Sequence, residues 1–133
     1  GEASIRGLHI LLAEDNELNA EIAARLLNDE GATVQVVRDG QQAIDAFASR
    51  PQGTYDAILM DIMMPKIDGY TATRVIRSTN RQDAKAIPII AMTAHVFDED
   101  VKQCLEAGMN AHLPKPLQME KVVSTIARLC KRK

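Results

Sequence analysis

The chain has 133 residues, a formal net charge of −2 and only 3% aromatic residues. That length fits one domain with a real core and leaves little room for a second. The slightly acidic balance argues against direct nucleic-acid binding, which needs a basic stripe, and the scarcity of aromatics leaves Ile, Leu, Val, Ala and Met to build the core.

Residues Gly1 to Gly7 read as a linker remnant, with the domain running from residue 8 to 133. Leu8 to Ala13 is then a short, continuous apolar run interrupted by His9, the pattern of a strand covered on both faces. Asn19, Ile22, Ala23, Leu26 and Leu27 follow at helical spacing, and Gly31 is placed to end that helix. Val34 to Val37 is a weaker second strand. Asp39-Gly40 opens a second helix with Ala43, Ile44 and Phe47 on one face and Pro51 beyond its end. Ala57 to Met60 is a third strand, and Asp68 is positioned to cap a third helix carrying Thr73, Val75 and Ile76. Ile87 to Met92 is a fourth strand, Asp98 to Ala107 a fourth helix closed by Gly108, and Ala111 to Leu113 a short fifth strand. The last helix runs from about Gln118 to Cys130, with Met119, Val122, Val123, Ile126 and Cys130 as its apolar stripe.

The order is therefore β-α repeated five times. Such alternation predicts an α/β fold: a doubly wound, five-stranded parallel sheet with helices on both faces, flavodoxin-like. Right-handed crossovers favour strand order 2-1-3-4-5 and a crevice at the carboxyl ends of the strands. No apolar run approaches the ~20 residues of a membrane span, and no signal peptide is visible. Cys104 and Cys130 sit in no redox or metal spacing and read as reduced cysteines of an intracellular protein. A cytoplasmic domain making no membrane contact of its own is expected. The chain opens at Gly1 without Met, which agrees with a domain excised from a longer, membrane-anchored parent.

The strand ends select a short list of chemical residues. Glu14 and Asp15 lie just past the first strand, Asp61 ends the third, Thr93 ends the fourth, and Lys115 follows the fifth between Pro114 and Pro116. In the expected topology these five side chains converge on one rim. Three crowded carboxylates raise each other's pKa unless a cation compensates. Oxygen ligands with open water positions suit Mg²⁺. A lone lysine can pair with a carboxylate or a phosphate oxygen. Together the parts suit phosphoryl transfer with a carboxylate as nucleophile.

The segments Leu11-Leu12-Ala13-Glu14-Asp15-Asn16, Met60-Asp61-Ile62-Met63-Met64-Pro65 with Asp68-Gly69, Ala91-Met92-Thr93-Ala94, and Leu113-Pro114-Lys115-Pro116 resemble the receiver domains of two-component response regulators. The resemblance covers roughly Leu8 to Leu129. It implies that Asp61 is the phospho-acceptor, and that Glu14, Asp15, Asp61 and the backbone carbonyl of Met63 hold Mg²⁺. It implies that Thr93 hydrogen-bonds the phosphoryl group and Lys115 pairs with it, with a cis Lys115–Pro116 bond. His112, three residues before the lysine, stands where the family usually has a switch aromatic. It would turn inward as Thr93 moves toward the phosphoryl group, altering the surface of the last two long helices. Met63 and His95 stand at positions that tune hydrolysis of the acyl phosphate. Many family members carry Asp-Asp where this chain has Glu14-Asp15. The Glu-Asp variant, the run Glu14 to Asn19 and the run Ala91 to His95 look most like receivers of hybrid sensor histidine kinases. The implied donor is a phosphohistidine on a histidine kinase dimerisation domain or a histidine phosphotransfer protein. Leu18, at the edge of the first helix near the rim, is the expected docking contact.

Taken singly, each residue has a plainer reading. Glu14-Asp15 could serve only a helix dipole, Asp61 a turn, Thr93 a strand end, Lys115 a solvated loop, and His9, His95 and His112 packing or surface. The methionines 60, 63 and 64 read more readily as adaptable packing than as metal ligands. The joint pattern is what carries the reading. An aspartyl-phosphate hydrolase would need a second Asp at position 63, where the chain has Met63. A nucleotide binder would need a glycine-rich loop after the first strand, where Glu14-Asp15 sits. A stand-alone response regulator, or a degenerate receiver used only for docking, remains as an alternative reading.

Overall fold

A computed structural model describes residues 3–94 and 98–130, with backbone alone at Asp98. The strands are β1 (His9–Ala13), β2 (Thr33–Val37), β3 (Ala57–Asp61), β4 (Ile89–Thr93) and β5 (Ala111–Pro114). They form one parallel sheet in the order β2-β1-β3-β4-β5. The helices are α1 (Glu17–Asp29), α2 (Gly40–Ser49), α3 (Gly69–Ser78), α4 (Gln82–Ala86), α5 (Asp98–Ala107) and α6 (Met119–Leu129).

Strand side chains alternate between faces, so each central strand feeds two cores. Leu11, Ala13, Ile58, Met60, Ile89 and Ala91 pack with Phe47 of α2, Ile76 of α3 and Cys104 of α5. Ile10, Leu12, Leu59, Ile90 and Met92 pack with Leu27 of α1 and Val122 and Ile126 of α6. All residues of β3 and β4 are buried, which explains their unbroken apolar runs. Edge strand β2 is mostly half-buried or exposed, which explains its weaker signal.

The helix starts follow cap chemistry. Asn16, Asp39 and Asp68 accept backbone N–H bonds from Asn19, Gln42 and Thr71, satisfying donors that the first helical turn leaves open. Gly31 and Gly108 hold φ of +93° and +105° just past α1 and α5, where a left-handed residue ends a helix.

Two features depart from the sequence expectation. Ile5 is fully buried and packs in the core beneath α1 and α6, and the Gly7 amide donates to the Gly31 carbonyl at 2.9 Å. Residues 5–7 therefore belong to the fold and are not a linker. The short helix α4 was not anticipated. It is held by Arg77, which donates to the Ala84 carbonyl at 3.1 Å and to the Gly108 carbonyl at 3.0 Å. Among the described residues, no helix is long and apolar enough to cross a membrane.

Candidate functional site

The sheet brings Glu14, Asp15, Asp61, Thr93 and Lys115 to its carboxyl rim. The Glu14 amide extends the β1–β2 ladder by donating to the Val37 carbonyl at 3.0 Å. Just past β3, the Ile62 amide donates to the Met92 carbonyl at 3.2 Å, and the Lys115 amide donates to the Thr93 carbonyl at 2.9 Å. These bonds tie the three acid- and lysine-bearing strand ends to their neighbours. The Lys115–Pro116 peptide is cis. Gly69 lets the β3–α3 loop fold back on the acid: a Cβ there would lie 2.4 Å from the Asp61 carbonyl oxygen.

One carboxylate oxygen from each of Glu14, Asp15 and Asp61 lies within 4.8 Å of the others. Glu14 and Asp61 are buried, and Asp15 is exposed. Lys115 Nζ lies 2.8 Å from Glu14 Oε1 and 3.1 Å from Asp61 Oδ2. Glu14 Oε2 accepts from the Asn16 amide at 3.1 Å, and Asp61 Oδ1 accepts from the Met63 amide at 3.2 Å.

This arrangement splits two neighbouring carboxyls. Burial pushes Asp61 up, the Glu14 carboxylate adds to the effect, and Lys115 only partly offsets it, leaving Asp61 at about 7. Burial also pushes Glu14 up, but its hydrogen bonds with Asp61, Lys115 and the Asn16 amide prevail and hold it below its ordinary value. Burial lowers Lys115, yet the two carboxylates outweigh that and raise it. Of the two acids, Asp61 is thus the one that favours its protonated form, while Glu14 favours its charged form. An all-oxygen cluster carrying this much negative charge, with one exposed member, fits a hard divalent cation such as Mg²⁺. With sulfur and imidazole missing from the set, it suits zinc poorly.

Residues 10–127 match the response regulator receiver domain family. The chain belongs to that family. It is 38% identical to Histidine kinase 1 of Arabidopsis thaliana over 98% of this chain and 13% of that protein. It is 39% identical to the transcription factor SKN7 of Saccharomyces cerevisiae over 95% of this chain and 19% of that protein. The receiver thus spans less than a fifth of either relative. Among solved structures, it is similar to the receiver domain of the sensor histidine kinase PA1611 of Pseudomonas aeruginosa PAO1, crystallised with a magnesium ion coordinated in its active-site cleft. That match has a TM-score of 0.83 and 39% identity, covering 94% of this chain and 98% of the other.

Leu18 and Met63 lie on the segments that follow β1 and β3, and His112 lies within β5. Leu18, on α1, is 63% exposed. Beside it, a groove of about 360 Å³ is lined by Ile22, Leu26, Met92, Pro116 and Leu117, with Glu14 and Lys115 at its polar end. Met63 is exposed on the β3–α3 loop. His112 is half-buried on β5, opposite Ala91, and lines a cleft of about 320 Å³ with Leu105, Thr125 and Arg128. His95 lies outside the described residues. Sequence reasoning missed Arg38, whose guanidinium donates to the Asp15 carbonyl at 2.8 Å. It also missed the Asp39–Lys66 pair at 3.7 Å. The signal was present: Arg38 and Asp39 follow the second strand at the same carboxyl rim that selected the other site residues.

Proposed function

We propose that this receiver accepts a phosphoryl group on Asp61 from a partner's phosphohistidine. The observation that carries the reading is Lys115 Nζ lying 2.8 Å from Glu14 and 3.1 Å from Asp61, inside a three-carboxylate cluster. Glu14, Asp15, Asp61 and the Met63 carbonyl would hold Mg²⁺, which when bound supplies the charge that offsets the phosphoryl oxygens. Asp61 gives up its proton and a carboxylate oxygen attacks phosphorus in line. The new O–P bond forms as the P–N bond breaks, and imidazole leaves with the electron pair. Lys115 shifts from the Asp61 carboxylate to a phosphoryl oxygen, Thr93 donates its hydroxyl to another, and His112 turns inward to alter the α5–α6 surface. Met63 sets the lifetime of the acyl phosphate together with His95.

The donor is a histidine-bearing helix bundle, of a kinase dimerisation domain or a phosphotransfer protein. Exposed Leu18 and Ile22 offer it an apolar foothold beside the acceptor. The histidine kinase relatives favour a hybrid-kinase parent with this domain on its cytoplasmic side, while SKN7 keeps a stand-alone regulator in view.

The deciding experiment is intact mass after incubation with acetyl phosphate and Mg²⁺. One added phosphoryl group in the parent, absent in Asp61→Asn and abolished by a chelator, is the expected result. No gain by a folded, Mg²⁺-binding parent, from either acetyl phosphate or a phosphohistidine donor, would overturn the proposal. Leu18→Asp should slow transfer from the protein donor while leaving the acetyl phosphate reaction intact; equal loss of both would remove Leu18 from the docking surface.

A further inference from the structure

The β2–α2 turn contributes no carboxylate to the acidic cluster, yet three consecutive residues of it reach the two loops that do. Arg38 NH2 donates to the Asp15 carbonyl at 2.8 Å, across 23 residues of sequence. Asp39, almost fully buried, faces Lys66 Nζ at 3.7 Å while its other oxygen caps α2. Gly40 lies against the β3–α3 loop so closely that a Cβ would come 2.2 Å from the Ile67 carbonyl oxygen. Lys66 itself holds φ of +67°, a left-handed backbone that a side chain disfavours and that surrounding contacts must enforce.

Arg38 is the unexpected member. Its Nε is buried and takes no hydrogen-bond partner among the described residues. Burying part of a guanidinium is costly, and its directed bond goes to a neutral main-chain carbonyl. That carbonyl belongs to the exposed acid of the cluster, in a turn that three like charges would otherwise drive apart.

We propose that Arg38 is a positioning residue, which clamps the β1–α1 turn so that Asp15 stays within reach of Glu14 and Asp61 before any cation binds. Asp39 and Gly40 brace the opposite loop from the same turn. The inference rests on the receiver reading above. Outer-shell partners of this kind typically govern metal affinity by about ten- to a hundredfold.

Two effects of removing Arg38 have opposite signs, which makes the test decisive. Losing a neighbouring positive charge alone would tighten Mg²⁺ binding, whereas losing a clamp loosens it. Calorimetric Mg²⁺ titration of the parent, Arg38→Met and Arg38→Lys is the experiment, with amide hydrogen exchange at Asn16 in chelator as a metal-free readout. In Arg38→Met the Mg²⁺ dissociation constant should rise about tenfold and Asn16 exchange should quicken. Arg38→Lys, which keeps the charge and one donor, should fall between, and it decides the matter if the Met variant does not fold. Unchanged or tighter Mg²⁺ binding in the variants would overturn the clamp while leaving the receiver reading standing. A parent that binds no Mg²⁺ would overturn both.

Discussion

Replacing Asp61 with Asn should make the metal-free receiver more stable at pH 8, and by a smaller margin at pH 5. Asp61 titrates at about 7 in the folded chain against 3.8 as its ordinary value. Between those values the native state holds a proton that the unfolded chain has released. Stability therefore falls as pH rises through this window and levels off above the folded value. At 1.36 kcal/mol per pKa unit, the shift sets a ceiling on the order of 4 kcal/mol. Relaxation around the ionised pair brings the expected loss to about 2–4 kcal/mol. Glu14, held below its ordinary value, contributes stability that is lost only as pH falls below that value, outside this window. The assay is urea unfolding followed by circular dichroism at intervals from pH 5 to 8, in chelator, for parent and Asp61→Asn. All other groups are common to both chains, so the difference between the two isolates Asp61. A parent whose stability is flat or rising from pH 5 to 8 relative to Asp61→Asn would refute the burial argument. Adding Mg²⁺ at a hundred times its dissociation constant should return about 2.7 kcal/mol to the parent.

Two further substitutions test the framework. Ile5→Ala should cost about 3 kcal/mol, because Ile5 is fully buried among Leu8, Leu27 and Ile126; an unchanged urea midpoint would return the segment to linker status. Gly69→Ala forces a Cβ against the Asp61 carbonyl oxygen and Ile62 Cα, which should cost about 2–3 kcal/mol and displace the acceptor. A thermal midpoint and acetyl phosphate rate both equal to the parent's would contradict that geometry.

The sheet was legible because β1, β3 and β4 are buried on both faces and write that burial as unbroken apolar runs. The strand ends were legible for a related reason: Glu14, Asp61 and Thr93 mark where those runs give way to polar residues at one rim. Helix α4 was not, since Gln82–Ala86 is a single short turn with one buried residue, Ala84, and has no room for a period. Ile5 stands alone between Ser4 and Arg6, so its burial depends on a floor built by α1 and α6, far away in sequence. The Arg38 bond was hidden likewise, because an arginine's reach is set by tertiary geometry.

The site shows the same division between residue type and state. Sequence identifies three carboxyls and a lysine at one rim, and like-charge repulsion says that the acids cannot all ionise freely. It does not say which one keeps the proton. That is decided by hydrogen bonds whose lengths only the fold supplies. The Asn16 amide lies 3.1 Å from Glu14 and the Met63 amide 3.2 Å from Asp61, while Lys115 sits closer to Glu14, at 2.8 Å, than to Asp61, at 3.1 Å. The difference is 0.1 Å for the amides and 0.3 Å for the lysine, and both favour charge on Glu14. Asp61 is therefore the acid whose pKa is raised, while Glu14 stays below its ordinary value. A cation held by Glu14, Asp15 and Asp61 would offset the negative charge that helps to raise Asp61, and so would favour its ionised form.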